Sequence, residues 1–360
     1  MAEAHREGKG KDARVLLAGG KPAPKHITPA MVPPQWVNVQ VSTDPKADVL
    51  VTGRDAKGRV KVVYSDKFHM RTAAWKFAKT EEGLRKFEQI SGENQKNRTS
   101  KDSRTREAAD ATWLMQEQGT RPGGDADTKG YAELYGHEMT VDMVVENAPA
   151  FDEQGNRRMN KDGAPATVSL AIKVGGKYVP IRDEGAREEL LKRKDSEEGL
   201  EDTRYWLQSF GATTLEARHV VEEADGVYLR FMGKESVWHD HKIRDPKLAQ
   251  MLLKRKQTAE QRGGKLFDTD ANKLRSYVST LDGGKFRSKD MRTMLANRLA
   301  MGEIQQQPDC CQDEKEYKAA VKSVAEKVSR VLGNDPAMAL KAYIDPAAFA
   351  QWKANCKGCE

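Results

Sequence analysis

In EYKAAVKSVAEKVSRVLG, residues 316–333, the residues Tyr317, Val321, Val324, Val328 and Val331 recur at three- and four-residue spacings. That is the stripe of a helix with one buried face. Gly333 stops it, Asn334 and Asp335 are cap candidates, and Pro336 suits a first helical position, so a second helix must begin within a few residues. The spacing predicts Tyr343 two turns into that second helix, roughly 10 Å from its start. Such a tyrosine either fills a groove or attacks something. A phenol with a pKa near 10 is a poor nucleophile alone and needs cations around it.

The rest of the chain punctuates differently. Residues 1–30 mix Lys, Gly, Ala and Pro without periodicity and read as a flexible basic arm. WVNVQVS and VKVVY are strand signals separated by turns, and FHMRTAAWKFAKTEEGLRKFEQI places Trp75, Leu84, Phe87 and Ile90 as a helical face, giving a small β-rich domain over 31–92. The polar stretch at 93–104 reads as a linker, residues 105–349 as a second domain, and 350–360 as a tail. Within the second domain GVYLRFM and VWHDHKI form a hairpin turning at Gly233, Lys234, Glu235 and Ser236. A chain of 360 residues has the length for two cores.

Charge bears on partners. With 61 Lys+Arg against 54 Asp+Glu the net charge is +7, which favours an anionic partner: nucleic acid first, then an acidic protein or membrane surface, with no functional meaning still open. No run of 18 apolar residues and no signal-peptide pattern is present, so the chain reads as soluble and unsecreted, and the sequon at Asn97 as idle. Cys310 and Cys311 are adjacent, and Cys356 and Cys359 form a CKGC; neither pair has further ligands at zinc-finger spacing, which favours free thiols in a reducing compartment.

Four segments could serve Tyr343. Arg121 follows a helix in GTRPGG, Lys234 projects from the hairpin turn, Arg292 lies early in a helix starting near Ser288, and Asn334 stands just ahead of the tyrosine helix with amide hydrogens to donate. Each alone is more often solvated or structural than catalytic. Spacing cannot bring them together.

Taken in order, these segments resemble those of the type IB DNA topoisomerases, in particular the compact poxviral and bacterial group. YSDKFHMR (64–71) is similar to a DNA-contacting segment, GTRPGGDADTKGYAELYG (119–136) to the first-arginine region, and FGATTLEARHVVEEADGVYLRFMGKESVWHDHKIRDPKL (210–248) to the core around the hairpin lysine. GGKLFD (263–268), GGKFRSKDMRTMLAN (283–297) and LGNDPAMALKAYIDP (332–346) complete the series. The resemblance implies an α+β fold, a two-lobed DNA clamp with a small β-rich N-terminal domain and a mainly α-helical catalytic domain. It implies a monomer on double-stranded DNA that relaxes supercoils through a 3′-phosphotyrosyl link, with no cofactor, no ATP and no required metal. Tyr343 would be the nucleophile, Arg121 and Arg292 would hold the non-bridging oxygens, Lys234 would protonate the leaving 5′ oxygen, and Asn334 would occupy the family's fifth position, His or Asn. Tyr64, Lys67, His69, Arg71, His219 and Lys289 would contact DNA. The compartment would be the cytoplasm or nucleoid of a bacterium, or a DNA-containing compartment or virion for a virus.

The chain departs from that group between Gly136 and Phe210, as though residues 137–210 were inserted into one loop and could be removed from it. Three roles stay open for the insertion: extra duplex contact, a partner-binding module, or an ornament. The family's tyrosine-histidine-proline pattern is YSD here. His219, His239 and His241 read as DNA contacts or core residues rather than a metal cluster, because no carboxylate ligand accompanies them. A tyrosine recombinase and a non-catalytic DNA-binding relative are the alternatives. Recombinases generally carry His two residues before the second arginine, where this chain has Asp290.

Overall fold

The computed structural model describes residues 1–8, 10–56, 58–123, 141–152, 156–174, 176–194, 204–234, 237–262, 264–307 and 313–354. The chain divides into two compact units, Met1–Glu81 and Glu82–Glu360. Both α and β structure are present, as an α+β chain requires.

The first unit is built on an antiparallel sheet of five strands, β1 (Ala2–Glu7), β2 (Arg14–Leu17), β3 (Val37–Val41), β4 (Val49–Arg54) and β5 (Val60–Tyr64), in the order β2-β1-β3-β4-β5. Ala4, Val15, Ile27 and Val32 are buried with Val39, Val41, Leu50 and Val51 in one core. Residues 1–30 are therefore not a flexible arm. Their apolar residues are few, but AEAHRE and RVLL pair in register, Ala4 opposite Leu17, and Gly19 and Gly20 take the positive φ that the following turn requires. The helix α1 (Asp66–Arg85) follows. On it Phe77 and Thr80 are buried, whereas Trp75 is 70% exposed and not the core residue expected of it.

The second unit begins with α2 (Phe87–Asn97) and α3 (Ser103–Gln118). The linker expected at 93–104 is instead the end of one helix and the start of the next. Asn94 is buried, donating to the Ala109 carbonyl at 3.0 Å and accepting from the Tyr277 hydroxyl at 2.6 Å, so this polar helix is anchored by hydrogen bonds that periodicity cannot reveal. Asp102 caps α3 by accepting from the Arg104 and Thr105 amides.

Within the segment 137–210 the described residues form a three-stranded antiparallel sheet, β6 (Val144–Pro149), β7 (Thr167–Val174) and β8 (Lys177–Pro180), with helices α4 (Glu184–Lys194) and α5 (Arg204–Leu207). Leu170, Ile172, Ile181, Leu190 and Trp206 make its core, and Met232 from beyond the segment belongs to the same core. A second three-stranded sheet follows, β9 (Val220–Glu223), β10 (Gly226–Met232) and β11 (Trp238–Lys242), containing the expected hairpin.

Five helices complete the unit: α6 (Pro246–Arg262), α7 (Ala271–Val278), α8 (Ser288–Ile304), α9 (Glu314–Leu332) and α10 (Pro336–Ala342), and a sixth, α11 (Ala347–Ala354), ends the described chain. Trp352 on α11 is buried with its ring 5.4 Å from that of Tyr317, so residues 350–354 are packed helix rather than tail. The four cysteines, and the reading of them as free thiols, lie outside the described residues.

Candidate active site

Arg292 rises from the second turn of α8, a helix started by Asp290, whose carboxylate accepts from the Arg287 amide at 2.8 Å. The side chain is 4% exposed, and its two terminal nitrogens donate to the carbonyls of Gly119 and Leu332. Those carbonyls belong to the C-terminal ends of α3 and α9, where backbone acceptors lack intrahelical partners and the helix dipole is negative. Two helix ends thus hold one guanidinium. Burial lowers its pKa to about 10, with Tyr343 opposing the shift and Arg121 adding to it, and it is still a cation at neutral pH.

Arg121 lies in the loop that leaves α3. Its own carbonyl accepts from the Ala212 amide at 2.8 Å, and the Pro122 carbonyl accepts from Thr213 at 2.8 Å. Gly123 and Gly211 let the two backbones meet: a Cβ on Gly211 would lie 2.5 Å from the Gly123 nitrogen. The segments GTRPGG and FGATTL, widely separated in sequence, are therefore stitched together. Arg121 is close enough to Arg292 and to His239 to depress the pKa of both.

Tyr343 is the residue just after α10 and caps its C-terminus, rather than sitting inside that helix. Its ring lies under the Arg292 guanidinium, 5.2 Å from centroid to carbon, and its side chain interacts with that group by hydrogen bonding and charge. The backbone is held by Asn297, which is 2% exposed. Its amide nitrogen donates to the Tyr343 carbonyl at 2.8 Å, and its oxygen accepts from the Asp345 amide at 2.7 Å. Sequence reasoning missed Asn297; its only signal is a polar residue one helical turn and a half beyond Arg292.

Asn334 follows Gly333 at the break between α9 and α10, and both polar atoms of its side chain are buried with no hydrogen-bond partner among the described residues. The Arg292 Nε is in the same condition. Unsatisfied buried donors are costly, and a ligand oxygen would satisfy them.

His239, also missed as a site residue, ties the hairpin to this break. Its ring stacks on Phe231 with centroids 4.5 Å apart, and a Cβ on Gly333 would come within 2.1 Å of it, a Cβ on Gly233 within 2.4 Å. Its Nδ1 faces the His241 Nε2 at 2.8 Å. Burial holds His239 well below the usual histidine range and His241 at about 4, with nearby cations adding to both shifts. Among the described residues no group of three His, Cys, Asp or Glu could hold a metal.

Lys234 sits beside Gly233 on the β10–β11 turn. The structure leaves its side chain exposed, in no hydrogen bond or ion pair among the described residues, so it is near the site through its neighbour rather than seated in it. Lys289 is exposed in the first turn of α8. His219 is a correction: it is fully buried, its Nδ1 accepting from the Glu216 amide at 2.8 Å and its ring 4.3 Å from Phe210, so it supports the fold and does not face DNA. In the first unit Tyr64 stacks on Phe68 at 4.3 Å, Lys67 and His69 are exposed, and Arg71 pairs with Asp48 at 2.7 Å.

Arg292 beside the Tyr343 side chain, Arg121 close to Arg292, and the unsatisfied amide of Asn334 are groups that could meet an anionic ester. Residues 195–357 match the family described as eukaryotic DNA topoisomerase I, catalytic core, a span holding Lys234, Arg292, Asn334 and Tyr343 and beginning after Arg121. No curated protein matches the chain. Over that span, less than half of the chain, the sequence is similar to the type IB DNA topoisomerases, a likeness that supports DNA binding and isomerase activity. No helix among the described residues is long and apolar enough to cross a membrane.

Proposed function

We propose that the protein relaxes positive and negative supercoils by cutting one strand of duplex DNA through a 3′-phosphotyrosyl link on Tyr343 and then rejoining it, as a member of the compact group. The observation that carries this reading is Arg292 beside the Tyr343 side chain, with Arg121 close enough to act on Arg292 and the unpartnered Asn334 amide at the break before α10. A phosphodiester placed there would meet directed donors on its non-bridging oxygens, whose charge grows in the in-line transition state. The Tyr343 oxygen bonds phosphorus and gives up its proton to water; the bond from phosphorus to the 5′ oxygen breaks, and that oxygen takes a proton from the Lys234 ammonium, which regains one from solvent. One phosphodiester is exchanged for another, so rejoining needs no nucleotide.

Lys234 is exposed in the free protein, and on this reading it closes on the leaving oxygen when DNA is bound. Plasmid relaxation in EDTA without ATP tests the activity, and strict dependence on either ATP or a divalent ion would sink the mechanism. Tyr343→Phe removes one oxygen and keeps the ring. The variant is expected to bind duplex DNA and form no covalent adduct; an adduct that survives denaturation and maps to another residue would overturn the assignment.

A further inference from the structure

The turn carrying Lys234 is closed by a hydrogen bond from the Gly233 amide to the Val237 carbonyl at 2.7 Å. The cross-strand pair just before it is Met232 opposite Trp238, and the next pair is Phe231 opposite His239. Successive pairs face opposite sides of a hairpin. Phe231 and His239 face the break at Gly333. Met232 and Trp238 face the other way, into the core of the module at 141–207. Met232 is 1% exposed there, and the Trp238 ring lies flat on Trp206 with centroids 5.6 Å apart and planes 15° apart. Gly185 of α4 lies close beneath Trp238, where a Cβ would be 3.5 Å from the ring. The Phe210 amide, leaving the module, donates to the Met232 carbonyl at 2.7 Å.

We infer that the inserted module positions the lysine turn: Trp206, through Trp238 and Met232, fixes the rung from which Lys234 reaches the leaving oxygen. Trp206 is a positioning residue and touches no reacting atom. The inference rests on the proposed role of Lys234 as the acid. The lysine lies at the end of the hairpin beyond the rungs that β9 pairs, where the order of the turn depends on how its last rungs pack. The hairpin has the catalytic break on one face and the module on the other, so loosening the module loosens the acid while leaving Arg121, Arg292 and Tyr343 in place.

The test uses the full chain and single-turnover cleavage of a duplex carrying a site mapped with the unaltered protein, made with either a 5′-oxygen or a 5′-thiolate leaving group. The thiolate needs little protonation. Lys234→Ala is expected to slow cleavage of the oxygen substrate by about 100-fold and to recover on the thiolate. Trp206→Ala is expected to slow the oxygen substrate by about 10-fold and to recover likewise, since a small misplacement of a catalytic group has costs of this order. If Lys234→Ala does not recover on the thiolate, the acid assignment fails and the inference falls with it. If Lys234→Ala recovers while folded Trp206→Ala is either unaffected or equally slow on both substrates, the acid assignment stands and the positioning role is overturned. Trp206→Phe, which retains most of the volume, serves where the alanine variant does not fold. Its Gly233 amide is expected to exchange hydrogen faster, with α8 unchanged, and unchanged exchange at Gly233 would also overturn the inference.

Discussion

Gly333 has to be glycine for two separate reasons: its φ is +57°, and a Cβ would run into the His239 ring. Gly333→Ala is therefore expected to lower stability by at least about 1–3 kcal/mol from backbone strain alone and to slow cleavage by displacing Asn334; urea unfolding beside single-turnover cleavage checks both, and an unperturbed melt would show that the ring moves freely. The residue types proposed to meet phosphate could be named from the sequence, because arginine, lysine, asparagine and tyrosine declare their chemistry. His239 and Asn297 were not, since their importance comes from what buries them. The two hairpin histidines also give a pH dependence. Unfolded, they titrate near 6.5, whereas folded His241 takes up its proton only at about 4 and His239 well below the ordinary value. Between pH 6.5 and 4 the unfolded chain binds more protons, so this contribution to stability, complete above pH 6.5, is lost as the pH falls. Urea midpoints at pH 7.5, 6.5 and 5.5 should decline, and a flat series would mean that the histidines charge without cost in the folded protein.

At the level of elements, hairpins and helix stops were easy to read and polar packing was not. The β10–β11 hairpin and the end of α9 at Gly333 follow from alternation and punctuation. The part of α2 beyond Ile90 was hidden because Asn94 and Asn97 satisfy hydrogen bonds with Tyr277 instead of presenting apolar side chains, and β1 was hidden because its single buried side chain is an alanine. The module within 137–210 shows where a linear reading misleads most. By resemblance alone it is removable, but its core includes Met232 of the hairpin. Excising 137–210 would strip the cover from Met232 and Trp238, and burying one such side chain contributes about 1.5–3 kcal/mol. The excised chain is expected to melt at a lower temperature than the full chain; an equal melting temperature would show that the shared core adds nothing to stability.

On the scale of the whole molecule, the net charge is not spread evenly. Residues 1–81 hold 15 Lys+Arg against 8 Asp+Glu, while residues 82–360 hold 46 of each, so the entire excess of +7 belongs to the first unit. Composition over the full length blurs this, since it averages a basic unit with a neutral one more than three times as long. The neutral unit buries Arg292 beside the tyrosine, a local arrangement suited to chemistry rather than long-range attraction. Attraction for a polyanion then falls to the first unit, where Lys67 and His69 are exposed at the start of α1. Each lysine that neutralises a DNA phosphate releases condensed counterions, and log affinity should fall by about 0.9 per such contact for each unit of log salt. Binding of the full chain to a nicked duplex, titrated across a salt series, should therefore show a steep slope. Lys67→Gln should reduce that slope by about 1, whereas Lys318→Gln, on the neutral unit and paired with Glu314, should leave it unchanged. Equal effects of the two substitutions would show that the grip on DNA is not concentrated in the first unit.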